Sequence, residues 1–284
     1  MPTSNTHTNL IITPDLSPCE HCCKSITNYE NSKYLDAFIS CTKCGPRYSI
    51  NKSLPFEKIK DYTESNIECP NCLEEINHSN NENYHSQPNN SRNCSIQMHF
   101  YDGNIKELPI SQDQVLVEVA NQLKKDSIIA VKGVGSYLLL CDATNKKMVA
   151  ELRKRKQTIN KPFALIYADT EMLQADLSIT TTELSALKEK SAPIVLCKIK
   201  NFPENKLDLE GIAPGLTKLG VMLPASPLLQ LLANFFSKPM IATSGNLSGS
   251  PIIYKDKKAK KKLIGIADYL LSYDREITSP QDDS

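Results

Sequence analysis

The sequence predicts an α/β domain built on a mixed, twisted sheet with helices, preceded by a small tandem module rich in cysteine. Two observations support this prediction. Between residues 19 and 94, cysteines recur in pairs that enclose two residues. From residue 112 onward, apolar runs of strand length alternate with amphipathic stretches at helical spacing, which favours a mixed sheet flanked by helices. We therefore expect an N-terminal segment over residues 1–18, a cysteine module over 19–98 and an α/β domain over 112–284.

The composition excludes several classes of protein. The formal net charge is +1 and 23% of the residues are charged, so no global field attracts nucleic acid or a membrane surface. The longest nearly apolar stretch, residues 227–236, is about half of the ~20 residues that a membrane-spanning helix needs. Residues 1–9 lack the basic and apolar segments of a secretory signal. We expect a cytoplasmic protein whose ten cysteines serve as metal ligands more than as disulfides.

The cysteine module is an internal duplication, because a shift of 50 residues maps Cys19 onto Cys69 and Tyr34 onto Tyr84. Two thiolates separated by two residues hold one side of a tetrahedral Zn²⁺ ion, and a second pair some 18 residues later holds the other side. The first copy supplies four such ligands: Cys19, Cys22, Cys41 and Cys44. Four protein ligands close the coordination sphere, so the sequence predicts a structural zinc site in this copy.

The second copy is incomplete. It contains Cys69, Cys72 and Cys94, but Ser91 stands where the first copy has Cys41. A neutral hydroxyl is a poor zinc ligand, and His85 is the alternative fourth ligand. We expect weakened or absent zinc here, and a loop over residues 77–93, which are dominated by Asn and Ser.

The elements of the α/β domain follow from hydrophobic spacing. Residues 115–123 place their apolar side chains on one helical face, and Ser226 followed by Pro227 is a typical helix start. The helix beginning at Lys146 has Thr144 near its cap. The predicted helices cover residues 115–123, 146–155, 182–190 and 228–236, and the predicted strands cover 128–131, 137–141, 163–167, 193–199, 220–223 and 240–243.

Three segments of this domain have the composition of ligand-binding loops. Residues 132–137 form a glycine-containing turn that either brings backbone N–H groups to an anion or is an ordinary hairpin. Residues 153–161 are basic near a helix end, where they either bind an anion or oppose the helix dipole. Residues 243–249 form a polar turn after a strand, where α/β sheets usually bind ligands. Residues 255–262 hold six lysines, as a solvated helix face or as a nucleic-acid contact.

The order of these segments closely resembles the HypF family, the carbamoyltransferases that mature [NiFe] hydrogenase. The resemblance runs from about residue 12 to the last residue and covers the family's tandem zinc fingers and its YrdC-like domain. The matching segments are Asp15-Leu16-Ser17-Pro18-Cys19, Cys41-Thr42-Lys43-Cys44-Gly45-Pro46-Arg47-Tyr48, Lys132-Gly133-Val134-Gly135, Cys141-Asp142-Ala143, Lys161-Pro162, Ala192-Pro193-Ile194-Val195-Leu196, Gly220-Val221-Met222-Leu223-Pro224 and Thr243-Ser244-Gly245-Asn246.

The resemblance implies hydrolysis of carbamoyl phosphate and ATP-dependent formation of carbamoyl-adenylate by the complete protein, followed by carbamoyl transfer to HypE. The implied cofactors are structural Zn²⁺ and ATP with Mg²⁺. The family usually carries an acylphosphatase domain before the fingers and a transfer domain after the YrdC-like one. Because neither is present in this sequence, we expect a truncated component whose partners are a HypE-like protein and a separately encoded transferase domain.

The resemblance also implies a nucleotide and carbamoyl site, although it assigns no catalytic residue. Arginines expected by the family are replaced by Thr158 and Pro280, and Ser136 stands where a glycine is expected. Neither threonine nor proline can make the bidentate phosphate contact of an arginine. Three functions therefore stay open: carbamoyl-adenylate formation, a degenerate non-catalytic chain that binds protein or RNA, and a YrdC-type threonylcarbamoyl-adenylate synthase of tRNA modification. The implied site residues are Lys132, Gly133, Gly135, Ser136, Tyr137, Lys156, Lys161, Ser244, Gly245 and Asn246.

Overall fold

The computed structural model describes residues 12–51 and 96–282, together with the single positions 70, 74 and 78. The second cysteine set, Cys69, Cys72 and Cys94, lies outside the described residues, as do Ser91 and His85. In the part of the chain that is described, no helix is long and apolar enough to cross a membrane.

One mixed sheet organises the α/β domain, and nine strands belong to it within the described residues. Their spatial order is β1-β9-β2-β3-β8-β4-β7-β6-β5. Strands β9 and β2 pair in parallel, as do β4 and β7, and the other neighbours are antiparallel. The strands are β1 Met98–Tyr101, β2 Ile129–Lys132, β3 Tyr137–Asp142, β4 Ala164–Ile166, β5 Leu177–Ser178, β6 Val195–Ile199, β7 Lys218–Met222, β8 Met240–Ser244 and β9 Tyr269–Tyr273.

Helices cover both faces of the sheet. Because both faces are buried, successive residues of the central strands are apolar, without alternating polar positions. Ile129 and Val131 point to the face covered by α1, α2 and α7, whereas Ile128 and Ala130 pack with α3 and α8 on the other face. The helices are α1 Glu20–Thr27, α2 Val115–Lys124, α3 Lys146–Lys156, α4 Thr170–Asp176, α5 Thr181–Leu187, α6 Leu209–Ile212, α7 Pro227–Phe236 and α8 Asp256–Lys262.

The mixed α/β fold is confirmed, and several predicted elements differ in detail. Thr144 lies beside the cap of the helix at 146, as predicted, and the cap itself is Asn145, whose side-chain oxygen accepts from the backbone N–H groups of Lys147 and Met148. Ser226 caps α7 with Pro227 at its first position, as predicted. Strands β1, β5 and β9 were not predicted, and the sheet already begins at residue 98, earlier than the expected domain start at 112.

The first copy of the cysteine module packs directly on the α/β domain. Helix α1 contributes Cys22 and Ile26 to the same buried cluster as α2 and α7. The Phe38 ring meets the Tyr273 ring edge to face at a centroid distance of 5.0 Å. This first copy is therefore fixed against the end of β9.

Candidate metal centre and nucleotide site

The first cysteine set forms a compact sulfur cluster. The Sγ–Sγ distances are 3.7 Å for Cys19–Cys41 and 3.6 Å for both Cys41–Cys44 and Cys22–Cys44. All four sulfurs lie within 4.8 Å of one another. Tetrahedral Zn²⁺ with Zn–S bonds of about 2.3 Å separates its sulfurs by about 3.8 Å. The cluster therefore has the size and the ligand set of a structural zinc site.

Local backbone structure places these four ligands. Cys19 is the N-cap of α1 and Cys22 lies one turn further along, so both sulfurs leave the same side of the helix end. Cys41 and Cys44 lie on a tight turn closed by a 3.3 Å hydrogen bond from Cys44 N to the Cys41 carbonyl. The Arg47 guanidinium donates to the carbonyls of Cys41 and Cys44 at 2.8 and 3.0 Å. This contact fixes the turn from outside the sulfur cluster.

Protons compete with a metal at this cluster. Burial raises the pKa of Cys41 to about 11, although the Lys43 N–H donates to its sulfur. Without a metal, this thiol is protonated at neutral pH. Metal binding at the cluster must therefore release protons, and its affinity falls as the pH is lowered.

Lys156 is the centre of the nucleotide-site residues that the resemblance implied. Its side chain is 2% exposed, and its Nζ donates to the Ser244 carbonyl and, at 3.0 Å, to both the carbonyl and the side-chain oxygen of Asn246. The Ser244 hydroxyl donates to the same side-chain oxygen of Asn246 at 2.8 Å. The structure thus brings Lys156 together with two predicted residues, Ser244 and Asn246, that lie 88 and 90 positions away in sequence.

The surroundings of Lys156 destabilise its charged form. Burial and, to a smaller extent, the nearby positive charge of Lys161 lower its pKa to about 8, and Asp282 opposes the shift. An anion bound beside Lys156 would favour the charged form. In the described part of the chain, this ammonium donates to neutral oxygens of Ser244 and Asn246, so no bonded carboxylate neutralises its charge, which suits it to a phosphate oxygen.

Lys132 and Tyr137 form a second group that shares Asp256, a residue that the sequence analysis did not single out. Lys132 Nζ lies 2.9 Å from Asp256 Oδ1 and 2.9 Å from the Tyr273 carbonyl, and the Tyr137 hydroxyl donates to Asp256 Oδ1 at 2.8 Å. Burial lowers the pKa of Lys132, and Asp256 partly offsets this. Asp256 was obscured because it opens the lysine-rich run, and no local pattern distinguishes it from a helix-start acid.

A close backbone contact joins the Lys156 group to the group formed by Lys132 and Tyr137. Gly245 N donates to the Tyr137 carbonyl at 2.6 Å, and a Cβ on Gly245 would lie 2.6 Å from that oxygen, so only glycine fits. The predicted turn after β2 is a hairpin, closed by a 2.8 Å bond from Gly133 N to the Ser136 carbonyl. Thr158, where the resemblance leads us to expect arginine, is buried.

A cleft of about 230 Å³ opens where residues 14–17 and 45–46 face the α/β domain. The β2–β3 turn contributes Val134 and Gly135 to its wall, the N-terminal segment contributes Asp15, and the cysteine module contributes Pro46. Asp282, whose charge acts on Lys156, also lines it. Lys132, Lys156, Ser244 and Asn246 do not themselves line this cleft.

Two family profiles match the chain. The profile described as "Telomere recombination" (Sua5_yciO_yrdC) matches residues 121–284, and the profile described as "HypF finger" matches residues 19–51. The first covers more than half of the chain and the second contains the complete sulfur cluster.

Named relatives agree with both profiles. Carbamoyltransferase HypF of Rhodobacter capsulatus is 38% identical over 274 residues, which are 96% of this chain and 36% of that protein. A solved structure described as full-length HypF in the phosphate- and nucleotide-bound form has a TM-score of 0.88 at 34% identity, over 96% of this chain and 35% of that chain. A threonylcarbamoyl-AMP synthase of Photobacterium profundum is 32% identical over 139 residues, 48% of this chain and 74% of that protein. The chain spans about a third of the length of the HypF proteins that it matches.

Proposed function

This chain belongs to the HypF family, with the family's finger and a YrdC-like domain, and from that premise we propose that its α/β domain binds ATP with Mg²⁺ and forms carbamoyl-adenylate. The observation that supports this most is the contact of Lys156 with Ser244 and Asn246. These residues lie 88 and 90 positions from Lys156 in sequence, yet they meet around one buried ammonium.

The proposed reaction joins carbamate to the nucleotide. A carbamate oxygen attacks the α-phosphorus of ATP, the bond from that phosphorus to the bridging oxygen breaks, and pyrophosphate leaves with the electron pair. Such transfers are accelerated mainly by positioning and by neutralising charge on the phosphate oxygens. Lys156 would neutralise phosphate charge, while the Ser244 hydroxyl and the Asn246 amide would orient the phosphate chain. Mg²⁺ would supply the remaining positive charge.

Lys132 would act differently from Lys156. Its ammonium contacts both carboxylate oxygens of Asp256, which neutralise its charge, and the Tyr273 carbonyl, whereas the acceptors of Lys156 on Ser244 and Asn246 are neutral. We propose that Lys132 and Tyr137 hold the β2–β3 turn, with its Gly133, Gly135 and Ser136, beside the ligand. Lys161 would add positive charge near Lys156. In hydrogenase maturation, the carbamoyl group would then pass to a HypE-like protein through a transferase domain.

Isothermal titration of the purified chain with ATP and Mg²⁺ tests nucleotide binding, and exchange of labelled pyrophosphate into ATP tests adenylation. We expect exchange that depends on ammonium carbamate, which removes any need for carbamoyl phosphate hydrolysis. Lys156→Ala should abolish both signals, whereas Lys154→Ala, an exposed lysine on the same helix, should change neither. Absence of nucleotide binding by the unmodified chain would refute the proposal.

The match to a threonylcarbamoyl-AMP synthase favours a second candidate function, adenylation of threonine-derived carbamate for tRNA modification. The same exchange assay separates the two: a signal that requires L-threonine in addition to a carbamate source would favour the synthase. Nucleotide binding without any exchange would instead support a non-catalytic chain.

A non-catalytic chain would bind protein or RNA, and helix α8 offers a surface for RNA. Lys257, Lys258 and Lys261 are exposed on that helix. Contacts between such lysines and phosphates weaken steeply with salt. Titration of a double-stranded RNA into the chain at two salt concentrations tests this candidate, and salt-independent or undetectable binding would refute it.

A further inference from the structure

One carboxylate, that of Asp15, connects the first cysteine copy (residues 19–51, called the finger below) to the C-terminal segment of the α/β domain (residues 278–282). Its Oδ1 accepts from the backbone N–H groups of Arg47 at 2.5 Å and Ser49 at 3.2 Å, just beyond the second cysteine pair. Its Oδ2 accepts from the Gln281 side-chain amide at 2.6 Å. Positions 15 and 281 are 266 apart in sequence, so this contact exists only in the folded chain.

A second set of bonds ties the same two segments together. The backbone N–H of Thr278 donates to the Ser49 carbonyl at 2.7 Å, and the Thr278 hydroxyl lies 2.9 Å from that oxygen and 3.0 Å from the Asn51 carbonyl. Residues 278–281 therefore follow the finger loop at residues 45–51. A displacement of this loop would move the segment with it.

The other side of the segment contacts the β2–β3 turn. Gln281 N donates to the Gly135 carbonyl at 3.1 Å. The approach is so close that a Cβ on Gly135 would lie 2.8 Å from the Gln281 Cβ. The next residue, Asp282, lines the cleft and opposes the lowering of the Lys156 pKa. Gln281 thus lies between the finger and two parts of the nucleotide site.

We propose that Asp15 and Gln281 are positioning residues through which the finger sets the nucleotide affinity of the α/β domain. The proposal rests on the proposed function, because it names what holds that same site. Through Gln281, the finger fixes the β2–β3 turn and Asp282 relative to Lys156. The finger then supports the adenylation site through Gln281 and is not a separate module.

A charge swap tests this relation. Gln281→Glu places a second carboxylate against Asp15, and we expect nucleotide affinity to fall about tenfold, within the range of direct pair couplings. Adding Asp15→Asn should restore most of the affinity. The new amide nitrogen can donate to Glu at 281, while its oxygen still accepts from the N–H groups of Arg47 and Ser49. Gln174→Glu on the exposed surface of α4 makes the same chemical change and should have no effect.

Two further measurements on the full chain distinguish positioning from misfolding. Zinc content should stay unchanged in every variant, and amide hydrogen exchange over residues 278–282 should accelerate in Gln281→Glu and slow again in the swap. Affinity in Gln281→Glu equal to that of the unmodified chain would overturn the proposal, as would a swap no tighter than the single variant. If the unmodified chain binds no nucleotide, the proposed function fails as well, which separates that failure from a failure of the positioning role alone.

Discussion

Replacing Lys156 by arginine should remove a pH dependence of nucleotide binding that the structure assigns to this lysine. Burial lowers the Lys156 pKa to about 8, so about 90% of the side chains are charged near pH 7 and about 10% near pH 9. If phosphate binds only the charged form, the apparent dissociation constant is divided by that fraction. The affinity for ATP should therefore weaken about tenfold between about pH 7 and about pH 9.

The direction of this pH dependence follows from the protonation state of Lys156 that the nucleotide favours. The free protein holds a lysine whose pKa is depressed, so it loses the proton as the pH rises above about 8, and binding is strongest below this value. Arginine remains charged throughout this range. Lys156→Arg should therefore change affinity less than about twofold between the same two pH values. Isothermal titration at both pH values measures this directly.

A matched control removes the general effect of alkaline pH. Lys154→Arg makes the same substitution at an exposed position of α3 and should keep the pH dependence of the unmodified chain. A flat profile in the unmodified chain would contradict the assignment. An equally steep profile in Lys156→Arg would show that another group titrates, and Lys132, whose pKa burial also lowers, would be the next residue to replace.

Three other predictions follow from single contacts. Cys41→Ser should abolish zinc binding at the first cysteine set. In the unmodified chain, acidification should release that zinc because the thiolates are protonated. Elemental analysis after dialysis measures both effects. His99 lies 2.7 Å from both Glu107 and Asp274; burial lowers its pKa, but these hydrogen bonds outweigh burial and raise it. The stabilisation that charged His99 gives the folded state should be fully present below pH ~6.5 and lost as the pH rises through the raised pKa of the folded protein. His99→Gln should therefore lower the unfolding free energy by about 1 kcal/mol at acidic pH and by little at alkaline pH, as measured by denaturant unfolding. Gly245→Ala should cost about 1–3 kcal/mol of unfolding free energy, because its new methyl group would overlap a strand carbonyl, and an unchanged melting temperature would contradict this.

The sequence determined the features that depend on neighbours along the chain. The spacing of Cys19, Cys22, Cys41 and Cys44 predicted one cluster, because each pair is held by a single helix end or turn and only one loop has to close. Ser226 and Pro227 predicted the start of α7 for the same reason, since capping involves residues within one turn. Apolar periodicity predicted most of the buried strands.

Only the tertiary structure decided which distant residues meet. Strand β9 gained no clear sequence signal because its polar flanks, Asp268 and Asp274, hide a short apolar run, yet it pairs with both β1 and β2. Asp256 was hidden among lysines, and its role follows from the buried Lys132 that faces it across the fold. The Asp15–Gln281 contact likewise has no local pattern. Such pairings cost loop-closure entropy that the packed core compensates, and no spacing along the chain records them.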